Sequence, residues 1–196
     1  MLSSDNNLPL KREHSMNPGT HILETVAFEF HALQRMAERA LAQVSDEGFF
    51  HSPGAESNSL AIIVQHINGN LRSRFSDFLT TDGEKPDRNR DSEFESSGLS
   101  RAEILQKWEQ YWQILFDTLA SLTPDDLLKT VTIRGENFTV FHALARQLTH
   151  YGNHCGQIVY VAKLLAGDNW RTLSVPRGQS QTWKPAANAE QSYFRR

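Results

Sequence analysis

Four long stretches of this chain place apolar residues every three or four positions, a period that suits α-helices packed side by side and little else. In the first, Leu23, Val26, Phe30, Leu33, Ala37, Ala40 or Leu41, and Val44 make one stripe. Residues 46–57, with Gly48, Pro53 and Gly54, break it. The second opens near Asn58 or Ser59, either of which can cap a helix, and carries Leu60, Val64, Ile67, Leu71, Phe75 and Phe78, widened by Ile63. A polar loop over residues 80–98 follows, longer than most helix connections.

The third stretch has the clearest start. Ser100 and Glu103 form a capping box ahead of Ile104, Leu105, Trp108, Tyr111, Trp112, Leu115, Phe116, Leu119 and Leu122. Thr123 and Pro124 then begin a short extra turn. Over residues 129–138 the period drops to two, with Val131 and Ile133 alternating with threonines before Gly135, which predicts a small β-hairpin. The fourth helix is capped by Thr139, carries Phe141, Leu144, Leu148, Tyr151, Cys155, Ile158, Ala162 and Leu165, and stops at Gly167.

The expected fold is all-α: a four-helix bundle with one long crossover connection, a small β-hairpin before the fourth helix and an extended C-terminal tail. The expected organisation is a disordered leader over residues 1–17, a bundle domain over 18–183 and a loose end over 184–196. Trp170, Trp183 and Phe194 are the rings available to pin the tail.

Composition narrows the partners. The 196 residues hold 20 Lys and Arg against 23 Asp and Glu, for a net charge of −3, and the basic residues are not gathered on one block, so nucleic acid is not expected. The one local cluster, Arg72, Arg74, Lys85, Arg88 and Arg90, is interleaved with Asp77, Asp82, Glu84, Asp87 and Asp91, as in a self-paired surface or the rim of a site. No apolar run approaches the ~20 residues of a membrane span, and the N-terminus lacks a signal-peptide core. A single cysteine, Cys155, excludes an internal disulfide, and a cytoplasmic location is expected.

Chemistry is carried by histidines. His150 and His154 stand four apart in Thr149-His150-Tyr151-Gly152-Asn153-His154-Cys155, on one helix face a turn apart. His66 lies beside the apolar stripe of the second helix. Three imidazoles from two helices suit Zn²⁺, Ni²⁺, Fe²⁺ or Cu²⁺ and leave a coordination position open, as in catalytic rather than structural zinc sites. Tyr151 and Gly152 occupy the middle of the pair, so the glutamate of a zincin protease is missing. The alternative is that the pair are half-buried polar residues, hydrogen-bonded to neighbours at the helix edge. Cys155, Trp108 and Trp112 fall on apolar seams and read as core.

Taken together, His66 in Val64-Gln65-His66-Ile67, the pair His150 and His154, the helix order and the hairpin resemble the DinB-like superfamily of metal-binding four-helix bundles. The stretches His66-Ile67-Asn68-Gly69-Asn70-Leu71-Arg72-Ser73-Arg74-Phe75 and Ser174-Val175-Pro176-Arg177-Gly178-Gln179-Ser180 look like one bacterial branch of that group, and the resemblance spans residues 20–183. It implies that His66, His150 and His154 are ligands to a divalent transition metal, zinc first and nickel or iron next. It further implies a transferase, with a low-molecular-weight thiol as possible co-substrate, or a hydrolase acting on a small molecule. Asn70, Arg74 and Gln157 are expected at the pocket, and a homodimer is expected. The alternative is a non-catalytic, stress-related protein that binds metal or a small molecule.

Overall fold

The computed structural model describes residues 17–184. The proposed leader and loose end, with Phe194, lie outside that range apart from Asn17 and Lys184. The described chain is predominantly helical. It forms α1 (Pro18–Leu41), α2 (Asp46–Phe50), α3 (Leu60–Phe75), α4 (Arg101–Ser121), a hairpin of β1 (Thr130–Ile133) and β2 (Glu136–Thr139), and α5 (Val140–Ala166).

The caps read from the sequence are in place. The Ser59 hydroxyl accepts from the Ile62 amide at 3.3 Å, and Thr139 accepts from the His142 amide at 3.1 Å. Ser100 and Glu103 close the capping box on α4, and Gly167, at φ 54°, ends α5 in a conformation that few side chains tolerate. Helix α2 is a correction, because residues 46–57 carried only break signals. Ser45 caps it, Asp46 and Glu47 sit in its first turn where the helix dipole favours acids, and its Phe49 is fully buried under the Arg101 guanidinium.

Helix α1 packs most extensively on α5, and α3 on α4. Between them lies an aromatic core in which Phe30, Trp112 and Tyr151 meet one another at centroid distances of 5.6–6.3 Å. Each such ring withdraws about 150–250 Å² from water, on the order of 4–6 kcal/mol before conformational entropy is subtracted. Trp108 is buried beside Trp112, and its Nε1 donates to Glu38 Oε1 at 3.0 Å.

The seam of α5 is a second correction. Phe141, placed on the apolar stripe by its spacing, is 44% exposed, while Val140 is fully buried. The hairpin decides this. Its ladder ends at Thr130 and Thr139, and the next amides, of Val140 and Phe141, donate to Lys129 and Leu127 carbonyls at 2.9 and 3.0 Å, which turns Val140 inward. Gln147 is buried, while Leu148 is only half-buried.

The connection over residues 80–98 is bound to its surroundings along its length. Asp82 accepts from the amides of Glu84, Arg134 and Gly135 at 2.6, 2.9 and 2.8 Å. It thereby holds the hairpin turn, where Arg134 and Gly135 have φ of 58° and 76°, as a two-residue turn of the I′ kind needs. Further along, the Gln65 amide group donates to the carbonyls of Ser92, Glu93 and Glu95 at 3.3, 3.2 and 2.9 Å. This binds a short 3₁₀ turn, Asp91–Phe94, to α3.

In the tail, the Gln43 side chain exchanges two hydrogen bonds with the Arg171 backbone, and Trp170 and Leu173 pack on the core. Trp183 is half-buried. No helix among the described residues is long and apolar enough to cross a membrane.

Candidate metal centre

Helix α3 carries His66 and α5 carries His150 and His154 one turn apart, and the packing of α3 against α5 brings all three together. Each offers one ligating nitrogen, and these nitrogens lie within 4.8 Å of one another. The Nε2 atoms of His66 and His150 are 3.3 Å apart, and those of His150 and His154 are 3.2 Å apart. Two imidazole nitrogens bound at ~2.0–2.1 Å to one tetrahedral ion would be about 3.3–3.4 Å apart. Two edges of the triangle therefore already have the length that such an ion imposes. The rings are steeply inclined, 81° between His66 and His150 and 90° between His150 and His154, so they converge rather than stack.

The outward nitrogens define the tautomers. His66 Nδ1 lies 2.8 Å from Glu93 Oε2, and His154 Nδ1 lies 2.8 Å from Gln157 Oε1. Both partners are acceptors, so each Nδ1 carries the proton and each Nε2 turns a lone pair inward. His150 Nδ1 is buried and has no partner among the described residues. His66 is only 3% exposed, whereas His150 and His154 are half-buried, so the centre opens toward α5. The Phe94 ring, 38% exposed, covers His66 at 4.7 Å.

Electrostatics disfavour a positive charge on the α5 pair. Burial, then the neighbouring His154 and His66 and the charges of Arg74 and Arg88, push His150 down to about 3. Burial lowers His154 as well, against the opposing effect of the hydrogen bond it donates to Gln157 Oε1. For Glu93, burial acts against ionisation, but hydrogen bonds from His66 and Arg88 outweigh it and hold the carboxyl below its ordinary range. At neutral pH the arrangement is two depressed imidazoles, a third aimed at them and an anionic carboxylate behind it. This donor set fits a divalent transition metal.

Sequence reasoning missed Glu93, although it singled out Arg88. The Arg88 Nε donates to Glu93 Oε1 at 2.7 Å, and its Nη2 donates to Oε2 at 2.9 Å. One signal pointed there, a glycine (Gly69) in mid-helix three residues after His66. Part of the charge cluster around Arg88 is self-paired. Arg72 bridges to Asp87, and Glu84 takes Arg74, Arg88 and Arg134 at 3.0, 3.4 and 3.2 Å.

Of the expected pocket residues, Gln157 stands at the histidines. Asn70 is buried between α3 and α5, where its Oδ1 accepts from Gln147 Nε2 and the Tyr151 hydroxyl, both at 2.9 Å. Arg74 is 5% exposed, with its Nη1 committed to the Gly83 carbonyl and Glu84. Cys155 is fully buried, and burial pushes its thiol up to about 12, so it is core rather than nucleophile.

A family model described as "Protein of unknown function (DUF1572)" matches residues 17–179. No curated protein and no solved structure matches the chain.

Proposed function

The chain belongs to the DUF1572 family, and from that premise we propose that it is a metal-dependent protein of the DinB-like type. In this reading α1, α3, α4 and α5 form a four-helix bundle that holds one divalent ion on His66, His150 and His154. The observation that carries it is the convergence of three inward nitrogens, with two edges of 3.2 and 3.3 Å, around a common point. An all-imidazole donor set favours zinc, with nickel or iron(II) as alternatives, over the oxygen-seeking calcium and magnesium.

The activity we propose is that of a transferase using a low-molecular-weight thiol, or of a hydrolase, on a small molecule. When bound, such an ion supplies Lewis acidity, polarising an electrophile or acidifying a thiol or water. The chain's own residues do the rest. His66, deep in the core, fixes the inner side of the centre, and the half-buried His150 and His154 leave its outer side open to a ligand. Gln157 orients the His154 ring, and Phe94 offers an apolar wall beside His66.

The test is turnover. Metal-loaded protein is incubated with thiols and electrophiles, then with esters and amides, and product is followed by mass spectrometry. Product that disappears in a folded His150→Ala variant supports the reading.

One observation favours a second reading, a stress-related metal or small-molecule binder without catalysis. Glu93 accepts three hydrogen bonds, from His66 Nδ1 and from Arg88 Nε and Nη2, so most of its acceptor capacity is committed behind His66 rather than offered to a ligand at the centre. Thermal stabilisation by a thiol or electrophile with no product across the whole screen would favour it.

A further inference from the structure

We propose that Glu93 is a positioning residue for the centre, and that Arg88 and Gly69 exist in their places to hold it there. The inference rests on the metal reading above and adds a residue from outside the helices that carry the ligands. His66 Nδ1 and Glu93 Oε2 are 2.8 Å apart, and both side chains are buried, 3% and 8% exposed. A carboxylate that takes the Nδ1 proton keeps the imidazole in one tautomer and one rotation, with Nε2 aimed inward, and makes that nitrogen a stronger donor.

Three further features hold the carboxylate still. Arg88, its own side chain 3% exposed, grips both oxygens at 2.7 and 2.9 Å. Gln65, the residue before His66, donates to the backbone carbonyl of Glu93 at 3.2 Å. Gly69 supplies the room, since a Cβ built there would overlap the Glu93 carboxylate and stand 3.1 Å from its Cγ. Gly69 sits in the body of α3 with no left-handed φ to require it, where glycine is a poor helix former. The passage of Glu93 explains the choice.

The three histidines differ in what holds their outward nitrogens. His154 Nδ1 has an exposed amide as its acceptor and His150 Nδ1 has no partner among the described residues, whereas His66 alone has a clamped carboxylate. His66 is therefore the anchored ligand, and the pair on α5 closes against it.

The experiment is cobalt(II) titration of the metal-stripped full chain, followed by the visible ligand-field bands, in wild type, Glu93→Ala, Glu93→Gln and Gly69→Ala. Glu93→Ala is expected to weaken cobalt binding by about 10- to 100-fold and to shift the bands. Glu93→Gln, which keeps an acceptor, falls between. Gly69→Ala, which leaves all ligands and Glu93 itself intact and improves helix propensity, is expected to weaken cobalt binding with helix content undiminished. Should Glu93→Ala fail to fold, Gly69→Ala decides alone. Wild-type affinity and bands in Glu93→Ala, or in Gly69→Ala when that variant stands alone, overturn the proposal and leave the metal reading intact. A folded wild type that takes up no cobalt overturns both.

Discussion

His66 and His150 are 84 positions apart in the chain, yet their Nε2 atoms face each other at 3.3 Å across the contact of α3 with α5. The His66 ring is turned by Glu93 behind it, and His150 is held by its helix one turn from His154. Two nitrogens at this distance need either a proton on one of them, as in the Nε2–H tautomer of a neutral His150, or a cation between them, and burial disfavours a positive charge on the His150 ring itself. The occupant we propose is a cation.

The loop that carries Glu93 is tied to the hairpin by charge, which gives a pH dependence. Burial acts to raise Glu84, but the hydrogen bond from Arg74 and the charges of Arg88 and Arg74 outweigh it, so its folded-state pKa lies below the ordinary 4.5. The unfolded chain therefore takes up this proton first as pH falls. The stability contributed by Glu84 is complete above 4.5 and is lost as pH drops from there through the lowered folded value. Glu84→Gln should destabilise the metal-free protein at pH 7 and show a flatter loss below pH 4.5 than wild type. Urea midpoints between pH 7 and pH 3 check this, and parallel acid limbs would contradict it.

Asp82 joins the same loop to the hairpin through three backbone amides. Asp82→Ala removes an ionised acceptor from all three, and a loss of about 1.5–3 kcal/mol is expected from chemical denaturation. The effect should be larger than that of Asp77→Asn, at an exposed acid whose carboxylate takes no backbone amide hydrogen bond among the described residues and whose φ of 49° asparagine tolerates. Equal effects would mean that the turn is not held by Asp82.

Cys155 follows a ligand directly yet belongs to the core. Because burial raises its thiol to about 12, iodoacetamide at pH 8 should leave folded protein unmodified and label it fully in denaturant. Cys155→Ala should keep the metal content and lose about 1 kcal/mol of stability from the missing sulfur. Rapid labelling of the native protein would place the thiol at the site after all.

The helices and most of their ends were legible because their signals are local. Ser59, Ser100 with Glu103, Thr139 and Gly167 each act within one turn, and the three histidines stand at spacings that a helix makes meaningful. The register of α5 was not legible, because the choice between Val140 and Phe141 is made by hairpin hydrogen bonds to Leu127 and Lys129. Helix α2 was hidden by its length of 5 residues, too short for a period to show. Glu93 was hidden because a polar loop rich in acids has no period, and its pairing with His66 spans 27 positions. Only Gly69 betrayed it, through a steric reason that appears once the carboxylate is placed.

The chemistry proposed for the centre depends on whether the three imidazoles hold an ion. The direct measurement is elemental analysis of protein purified without a histidine tag or chelator, wild type beside His150→Ala. About one equivalent of zinc, nickel or iron per chain in the wild type, lost in a folded His150→Ala, is the predicted result. A folded wild type that carries no metal, and takes up none on reloading, would contradict the assignment of His66, His150 and His154 as ligands.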